Sequence, residues 1–343
     1  MINKLKTYSQ KDIATQLKTI GLSDRVVGIH SQLSSMGSIE QTEVSKSEAA
    51  KGMKPFAKTV INALIDALGS RGTFFVPTHT VNTMSHYGLG RSKAENGTII
   101  DDGYYRAEST PSTLGSFTQS VLADNCSLRS LHPTHSIAAI GAEAAYLVNG
   151  HDHTAQPVGI MNAFSKLIGL DGIVMFIGPV LGSSTTFHAY ETLMLPALAD
   201  YLPGVAAAEI KGIKRLIPQT WVPHFHRDFY SEGKRATRAW KKLKEAGLLH
   251  STQLGDGTAY WFEAKKTARF FANEVFPTEP DILFCNSPEK CNTFYDCATT
   301  IGWLKELYAT GNKWSKEKVI EGMDKNFLQL LKDGQQRVLT IKI

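Results

Sequence analysis

Four cysteines in 343 residues are too few for a disulfide scaffold, so a reducing, cytoplasmic setting is expected. Long apolar runs are missing as well. The best of them, residues 74–76 and 173–180, are short and meet Gly or Pro well before a membrane-spanning length. The first eight residues, Met1-Ile-Asn-Lys-Leu-Lys-Thr-Tyr8, are polar and carry no apolar segment of secretory type. No cluster of Lys and Arg reaches the roughly five to eight residues of a polybasic patch. The densest, Lys241-Lys242-Leu243-Lys244, reads as a solvated helix face. Nucleic acid is therefore not an expected partner. The net charge of +5 suits small anionic ligands such as phosphate carriers. What is present is an ordinary globular mix, 42% hydrophobic and 20% charged, sufficient for a sizeable core.

Strand-like and helix-like patterns alternate along the chain. Residues 9–20 read as a helix with Ser9 as N-cap, and 25–30 as a short buried strand. Residues 55–68 place apolar side chains at 56, 60, 61, 64, 65 and 68, a helical spacing closed by Gly69. Residues 73–76, 136–141 and 172–180 are further strands; 112–122 and 187–201 are further helices. The polar, Gly-rich stretch 78–110 has the length of a functional loop. Later, 234–248 reads as a charged amphipathic helix, 258–262 as an edge strand and 265–275 as a helix. The alternation predicts an α/β three-layer sandwich around a mixed, largely parallel sheet. Residues 1–284 would form the main domain, with 285–343 a C-terminal helical extension packed on it.

Each apolar strand runs into a loop rich in hydroxyls or histidine. Ser31, Ser34 and Ser35 follow the first; Thr78, His79 and Thr80 the second; Ser183, Ser184, Thr185 and Thr186 the third. In open α/β sheets ligands bind beyond the carboxyl ends of strands, where hydroxyls and free N–H groups suit phosphates and amides. Ser and Thr also fill such turns merely as caps.

The third loop opens a helix carrying His188 and Glu191, three residues apart and so on one face. A carboxylate beside an imidazole fixes its tautomer and favours proton uptake, which a general base requires. His132-Pro133-Thr134-His135-Ser136 is an extended or turn segment, because Pro133 disfavours helix at His132. No G-x-S-x-G surrounds Ser136, so positioning fits it better than nucleophilic attack. His151 and His153, or His224, His226 and Asp228, could ligate a metal, but they lack HExxH spacing and read as surface groups. Cys285, Cys291 and Cys297 are spaced too widely for a zinc ribbon. No metal is expected.

Several phrases follow one another in a fixed order. They are Gly28-Ile29-His30-Ser31-Gln32-Leu33-Ser34-Ser35-Met36-Gly37, then Ala63-Leu64 to Gly69, and Gly72-Thr73 to Pro77-Thr78. Next come Pro111-Ser112 with Gly115, Arg129-Ser130 to Ser136, Ser165-Lys166-Leu167, and finally His188 with Glu191. From about residue 10 to 200, and more loosely to 284, this succession resembles the aminoglycoside 3-N-acetyltransferase family, which is distinct from the larger GNAT superfamily.

The resemblance implies an acetyl-CoA-dependent N-acetyltransferase acting on an amino sugar or another small-molecule amine. It implies cosubstrate contacts from the loop His30, Ser31, Ser34 and Ser35, joined by Thr78, Ser112, Arg129 and Ser136. His79, His132 and His135 would serve the acceptor side. His188 would be the base, with Glu191 its partner or a contact for the acceptor amine. Two departures stand out: Gln32 occupies a position where many members have Ser, and 41–52 is an insertion.

Segments 78–110 and 224–262, expected to shape the acceptor pocket, carry mixed charge. Arg91, Lys93, Arg106, Arg227 and Lys234 stand beside Glu95, Asp101, Asp102 and Glu108. A polycationic aminoglycoside wants an acidic site. The expected acceptor is therefore an amino sugar linked to a nucleotide or held in a surface-polysaccharide precursor. A metal-dependent hydrolase and a catalytically silent binding member of the fold are the rival readings, and a homodimer stays open.

Overall fold

Strand β2 (Val26–Ser31) is apolar on both faces up to Ile29, as a strand covered on both sides must be. The structure, a computed structural model, describes residues 6–80, 104–153, 156–180, 184–194, 203–220, 238–275, 277–279 and 336. In it β2 lies between two parallel neighbours, β4 (Thr73–Pro77) and β7 (Ile173–Ile177). Antiparallel strands extend both sides: β6 (Ile137–Gly141) and β5 (Leu128–Arg129) beyond β4, and β11 (Gly257–Glu263) and β10 (His250–Leu254) beyond β7. The seven-stranded order is β10-β11-β7-β2-β4-β6-β5. The sheet is mixed, as expected, but parallel pairing is confined to its three central strands. Residues 257–263 are not an edge strand. A two-residue turn, Gly255-Asp256, returns the chain so that β10 covers β11 on its outer side.

Alternation within strands divides the core. Ile173, Met175 and Ile177 face one layer while Val174 and Phe176 face the other. The first layer holds α1 (Gln10–Lys18), α3 (Pro55–Leu68) and α4 (Ser116–Ala123). The second holds α5 (Ala144–Val148), α6 (Ala163–Gly169), α7 (Thr185–Met194), α8 (Arg238–Glu245) and α9 (Ala264–Phe270). Two layers of helix over one sheet is the three-layer sandwich.

Helix boundaries follow from local chemistry. Ser9 caps α1 through a reciprocal box: its hydroxyl accepts from Asp12 N at 3.2 Å, and Asp12 accepts from Ser9 N at 3.0 Å. Helix α3 begins with Pro55 in its first turn. Helix α4 starts at Ser116, later than the spacing predicts, because Ser112 N is bonded to Gln119 Oε1 at 3.0 Å and Thr113 N to the His79 carbonyl at 2.9 Å. The insertion forms the short helix α2 (Lys46–Ala50). It is pinned by Lys58, whose Nζ lies 2.8 Å from both Glu48 and Asp124.

A hairpin that the sequence pattern did not reveal, β8 (Pro203–Ile210) and β9 (Ile213–Thr220), turns at Lys211-Gly212. It docks through Tyr105, whose N donates to Ala207 O at 2.9 Å while Glu209 N donates to Tyr105 O at 2.8 Å. Among the described residues no helix is long and apolar enough to cross a membrane. His224, His226, Asp228, the three late cysteines and the proposed extension 285–343, apart from residue 336, lie outside the described residues.

Candidate active site

Because β2, β4 and β7 run parallel, their carboxyl ends share one edge of the sheet, and the starts of the three hydroxyl-rich loops lie there. Ser31 pairs with Ile177 in register, and Gln32 N donates to Ile177 O at 2.8 Å. The chain then tightens into a single 3-10 turn, Leu33–Met36, in which Ser35 Oγ donates to Gln32 O at 2.8 Å. Gly178, just past β7, has φ 82°, and a Cβ there would collide with Ser35 Oγ. Only glycine lets these two loops touch.

Beside the first loop lies a groove of about 540 Å³. Ser31, Gln32 and Ser34 line one wall, Gln41 and Phe56 the next, and residues 114–117 the third. Helix α4 starts on this groove with Gly115 as N-cap and no side-chain cap, so its first N–H groups have no side-chain acceptor. Ser112, which accepts from Leu114 N at 3.2 Å, shapes that turn.

Thr78, Arg129 and Ser136 are bonded to one another. They form an internal knot. Pairing of β4 with β6 continues past the strands as Thr78 N to Ser136 O at 2.8 Å and Thr80 N to Thr134 O at 2.9 Å. Ser136 Oγ donates to Thr78 O at 2.9 Å. Arg129 donates from Nε to Ser136 Oγ at 3.2 Å, from Nη2 to Thr78 O at 3.1 Å, and from Nη1 to Ala107 and Thr110 carbonyls. Its guanidinium also stacks over Tyr105, 5.0 Å from the ring centroid. With this fork closed, Arg129→Lys is expected to cost about 2 kcal/mol, since an ammonium cannot reproduce the planar set of donors. A chemical denaturation midpoint unchanged by the substitution would contradict it.

The histidines are stacked. His30 leaves β2 into the second core layer, its ring between Phe164 and Phe176 at 5.3 and 5.1 Å. Its Nε2 is buried without a hydrogen-bond partner among the described residues, and burial, reinforced by His79, pulls its pKa to about 3. His132 is fully buried and stacks on His151 at 4.4 Å. His132 Nδ1 accepts from His135 N at 3.1 Å, and the His135 ring lies 4.5 Å from that of His79. His151 is not a surface histidine. Its Nε2 faces Pro157 O at 2.9 Å, an acceptor only, which assigns the proton to Nε2 and leaves Nδ1 to accept from Ser130 Oγ at 2.9 Å. Burial holds the pKa of His151 at about 4 and that of His132 well below the ordinary value. The surface reading holds for exposed His153.

Helix α7 directs Phe187 into the core against Trp240, Phe262 and Phe271, while Tyr190 Oη donates to Ala264 O at 2.9 Å. His188 therefore lies off the buried stripe and is half-buried. Ser184 and Thr186, at the start of the helix, are buried, and their hydroxyls have no hydrogen-bond partner among the described residues. Ser183 and the side chain of Glu191 lie outside the described residues.

The structure thus brings Ser31, Ser34 and the approach to α4 to one groove, and His79 to His135. It sets His30 and His132 in the core and closes Thr78, Arg129 and Ser136 on one another. Gln41, Phe56 and the start of α4 were not singled out as groove residues, because nothing local marks a residue that reaches the groove from elsewhere in the chain.

A mixed sheet covered on both faces, with its loops at the parallel edge, is shared with solved aminoglycoside acetyltransferases. The fold matches the crystal structure of aminoglycoside acetyltransferase AAC(3)-Xa with a TM-score of 0.61 at 20% identity, covering 77% of this chain and 91% of that one. It matches a binary structure of AAC-IIIb with CoASH at 0.59 and 17%, covering 82% and 98%. In sequence, the chain is 29% identical over 194 residues to aminoglycoside N(3)-acetyltransferase IX of Micromonospora chalcea, covering 53% of this chain and 60% of that protein. It is 27% identical over 190 residues to the SPbeta prophage-derived aminoglycoside N(3')-acetyltransferase-like protein YokD of Bacillus subtilis, covering 53% and 64%. The chain thus spans about 60% of the length of the curated relatives it matches. Residues 29–276 match the family model for aminoglycoside 3-N-acetyltransferase, and the chain belongs to that family.

Proposed function

We propose that the chain transfers acetyl from acetyl-CoA to the amine of an amino sugar. The observation that carries the reading is the family match over 29–276, which contains the groove, the histidine stack and α7 together. Acetyl-CoA supplies an acyl group already activated as a thioester, so the enzyme needs no nucleophile of its own. It needs to take a proton from the attacking amine. We assign that proton to His188, with Glu191, three residues on along α7, as its partner or as a contact for the acceptor amine.

The groove fits a pantetheine arm. Ser31, Ser34 and the N–H groups at the start of α4 suit its amides and phosphates, while Leu33, Phe56 and Leu114 suit its apolar stretch. Ser35 shapes the turn. His30, Thr78, Arg129 and Ser136 hold the strand ends from behind, and Ser112 sets the approach to α4. His79 and His135 serve the acceptor side, with His132 supporting the His135 backbone. The acceptor we favour is an amino sugar linked to a nucleotide or in a surface-polysaccharide precursor, which places the reaction in the cytoplasm. Arg106 is taken up by Glu209 at 2.6 Å, so its charge does not set the acceptor.

Thiol release from acetyl-CoA, measured across nucleotide amino sugars, free amino sugars and aminoglycosides, tests the reading. Turnover that persists after chelation separates it from a metal-dependent hydrolase. Saturable acetylation of a 2-deoxystreptamine drug in preference to the sugars overturns the acceptor, and no thiol release with any amine overturns the reaction.

A further inference from the structure

Gly37, Ser38 and Ile39 form one wall of the groove, and behind that wall two distant parts of the chain meet. Ser38 and Ile39 are strand β3, paired in parallel with Thr7 and Tyr8 of β1. Glu40 N donates to Tyr8 O at 3.0 Å. The Tyr8 ring is buried, and its hydroxyl donates to Asp256 Oδ1 at 2.7 Å. Asp256, in the β10–β11 turn, also donates from its backbone N to Met36 O at 2.9 Å. Gly37 has φ 80°, and the Asp256 carboxylate occupies the space a Cβ there would need. The turn is itself anchored: Gly255 N donates to Gln16 Oε1 of α1 at 2.8 Å, and β11 is zipped to β7.

We propose that Tyr8 and Asp256 are positioning residues for the cosubstrate groove. Together they hold the 34–39 wall in its binding conformation and so set the affinity for acetyl-CoA. The ligand's identity rests on the acetyltransferase reading; the positioning rests on the contacts above. The rigid bodies behind the wall are α1 and the sheet, reached through the Tyr8–Asp256 bond, a Thr7 Oγ1–Ser38 Oγ bond at 3.3 Å and the neighbouring backbone bonds. Removing the carboxylate leaves a buried hydroxyl without its acceptor, and removing the hydroxyl releases the wall from Asp256. Either change lowers the fraction of molecules with a formed groove, and apparent affinity falls by that fraction. Proton transfer at α7 uses other residues, so kcat is untouched. Tyr8 lies before the family match and Asp256 within it.

Tyr8→Phe, which removes the donor, and Asp256→Ala, which removes the acceptor, test it in the full chain. CoA affinity is measured by calorimetry, KM and kcat by thiol release, and amide hydrogen exchange over residues 33–39. The expected result is a roughly ten-fold rise in both Kd for CoA and KM for acetyl-CoA. Exchange at 33–39 should quicken about as much, with kcat within about two-fold, and the double variant should be no worse than either single one. Unchanged exchange, an unchanged Kd, or a fall in kcat with KM constant each overturns the proposal. If the unsubstituted protein binds no CoA, the acetyltransferase reading falls and the groove assignment with it. That outcome is seen before any variant is made, so the two failures are distinct.

Discussion

His188→Ala is expected to lower kcat by about 10²–10⁴-fold, the range that a positioned general base contributes. CoA affinity should stay within about two-fold of the unsubstituted protein. The reason is geometric. Phe187 and Tyr190 of α7 are locked into the aromatic core, whereas His188 lies off that stripe, so its removal leaves the helix in place. The groove is lined by β2, α3 and α4 neighbours rather than by α7, so binding is spared. A loss in kcat and in kcat/KM by the same factor would identify an interaction made only in the transition state. Turnover that survives the substitution would remove His188 from the mechanism.

The second large effect is on stability. Folding holds His30, His132 and His151 neutral below the ordinary histidine value of 6.5, chiefly by burial. In the unfolded chain they take up protons near pH 6.5; in the folded chain His151 resists until about pH 4 and His30 until about 3. Their contribution is therefore complete above pH 6.5 and is lost as the pH falls below it. Each group removes about 1.4 kcal/mol per pH unit in that window. Three together remove about 4 kcal/mol per unit, which by pH 5 rivals the roughly 5–15 kcal/mol that a typical domain has to lose. Urea midpoints measured from pH 7.5 to 5 should fall steeply only below 6.5. His30→Phe fills the same slot between Phe164 and Phe176 without a titrating nitrogen, and should take about a third off the slope. A flat profile from pH 7 to 5 would show that the stack does not stay neutral.

What could be read in advance, and what could not, follows from where the information sits. Helix α3 was legible to the residue, because Pro55 opens it, Gly69 follows it and six apolar positions mark one face. Strands β2, β4 and β7 were legible as continuous apolar runs, which only doubly covered strands tolerate. The hairpin at 203–220 was not. Its first strand, PGVAAAEI, has no alternation, and its attachment is to Tyr105, about a hundred residues earlier. Strand β10, HSTQL, is polar and mostly exposed, so the pattern alone makes β11 an edge.

The site divides the same way. Ser31 and Ser34 were visible because a hydroxyl after a strand is a local fact. The closure of Arg129 on Ser136, Thr78 and Tyr105 was not, since composition reports a charge and not whether its donors are already engaged. The bond between Tyr8 and Asp256 spans 248 positions, and no periodicity carries that far.

The separation of rim from foundation has an evolutionary side. The hydrogen bonds and aromatic contacts that keep the strand ends together run behind the sheet's parallel edge, while the groove is bordered by loops and helix starts. Substitutions at the rim cost little folding free energy, and those in the knot cost a great deal. Under such an arrangement the lining of the groove can change without rebuilding the protein.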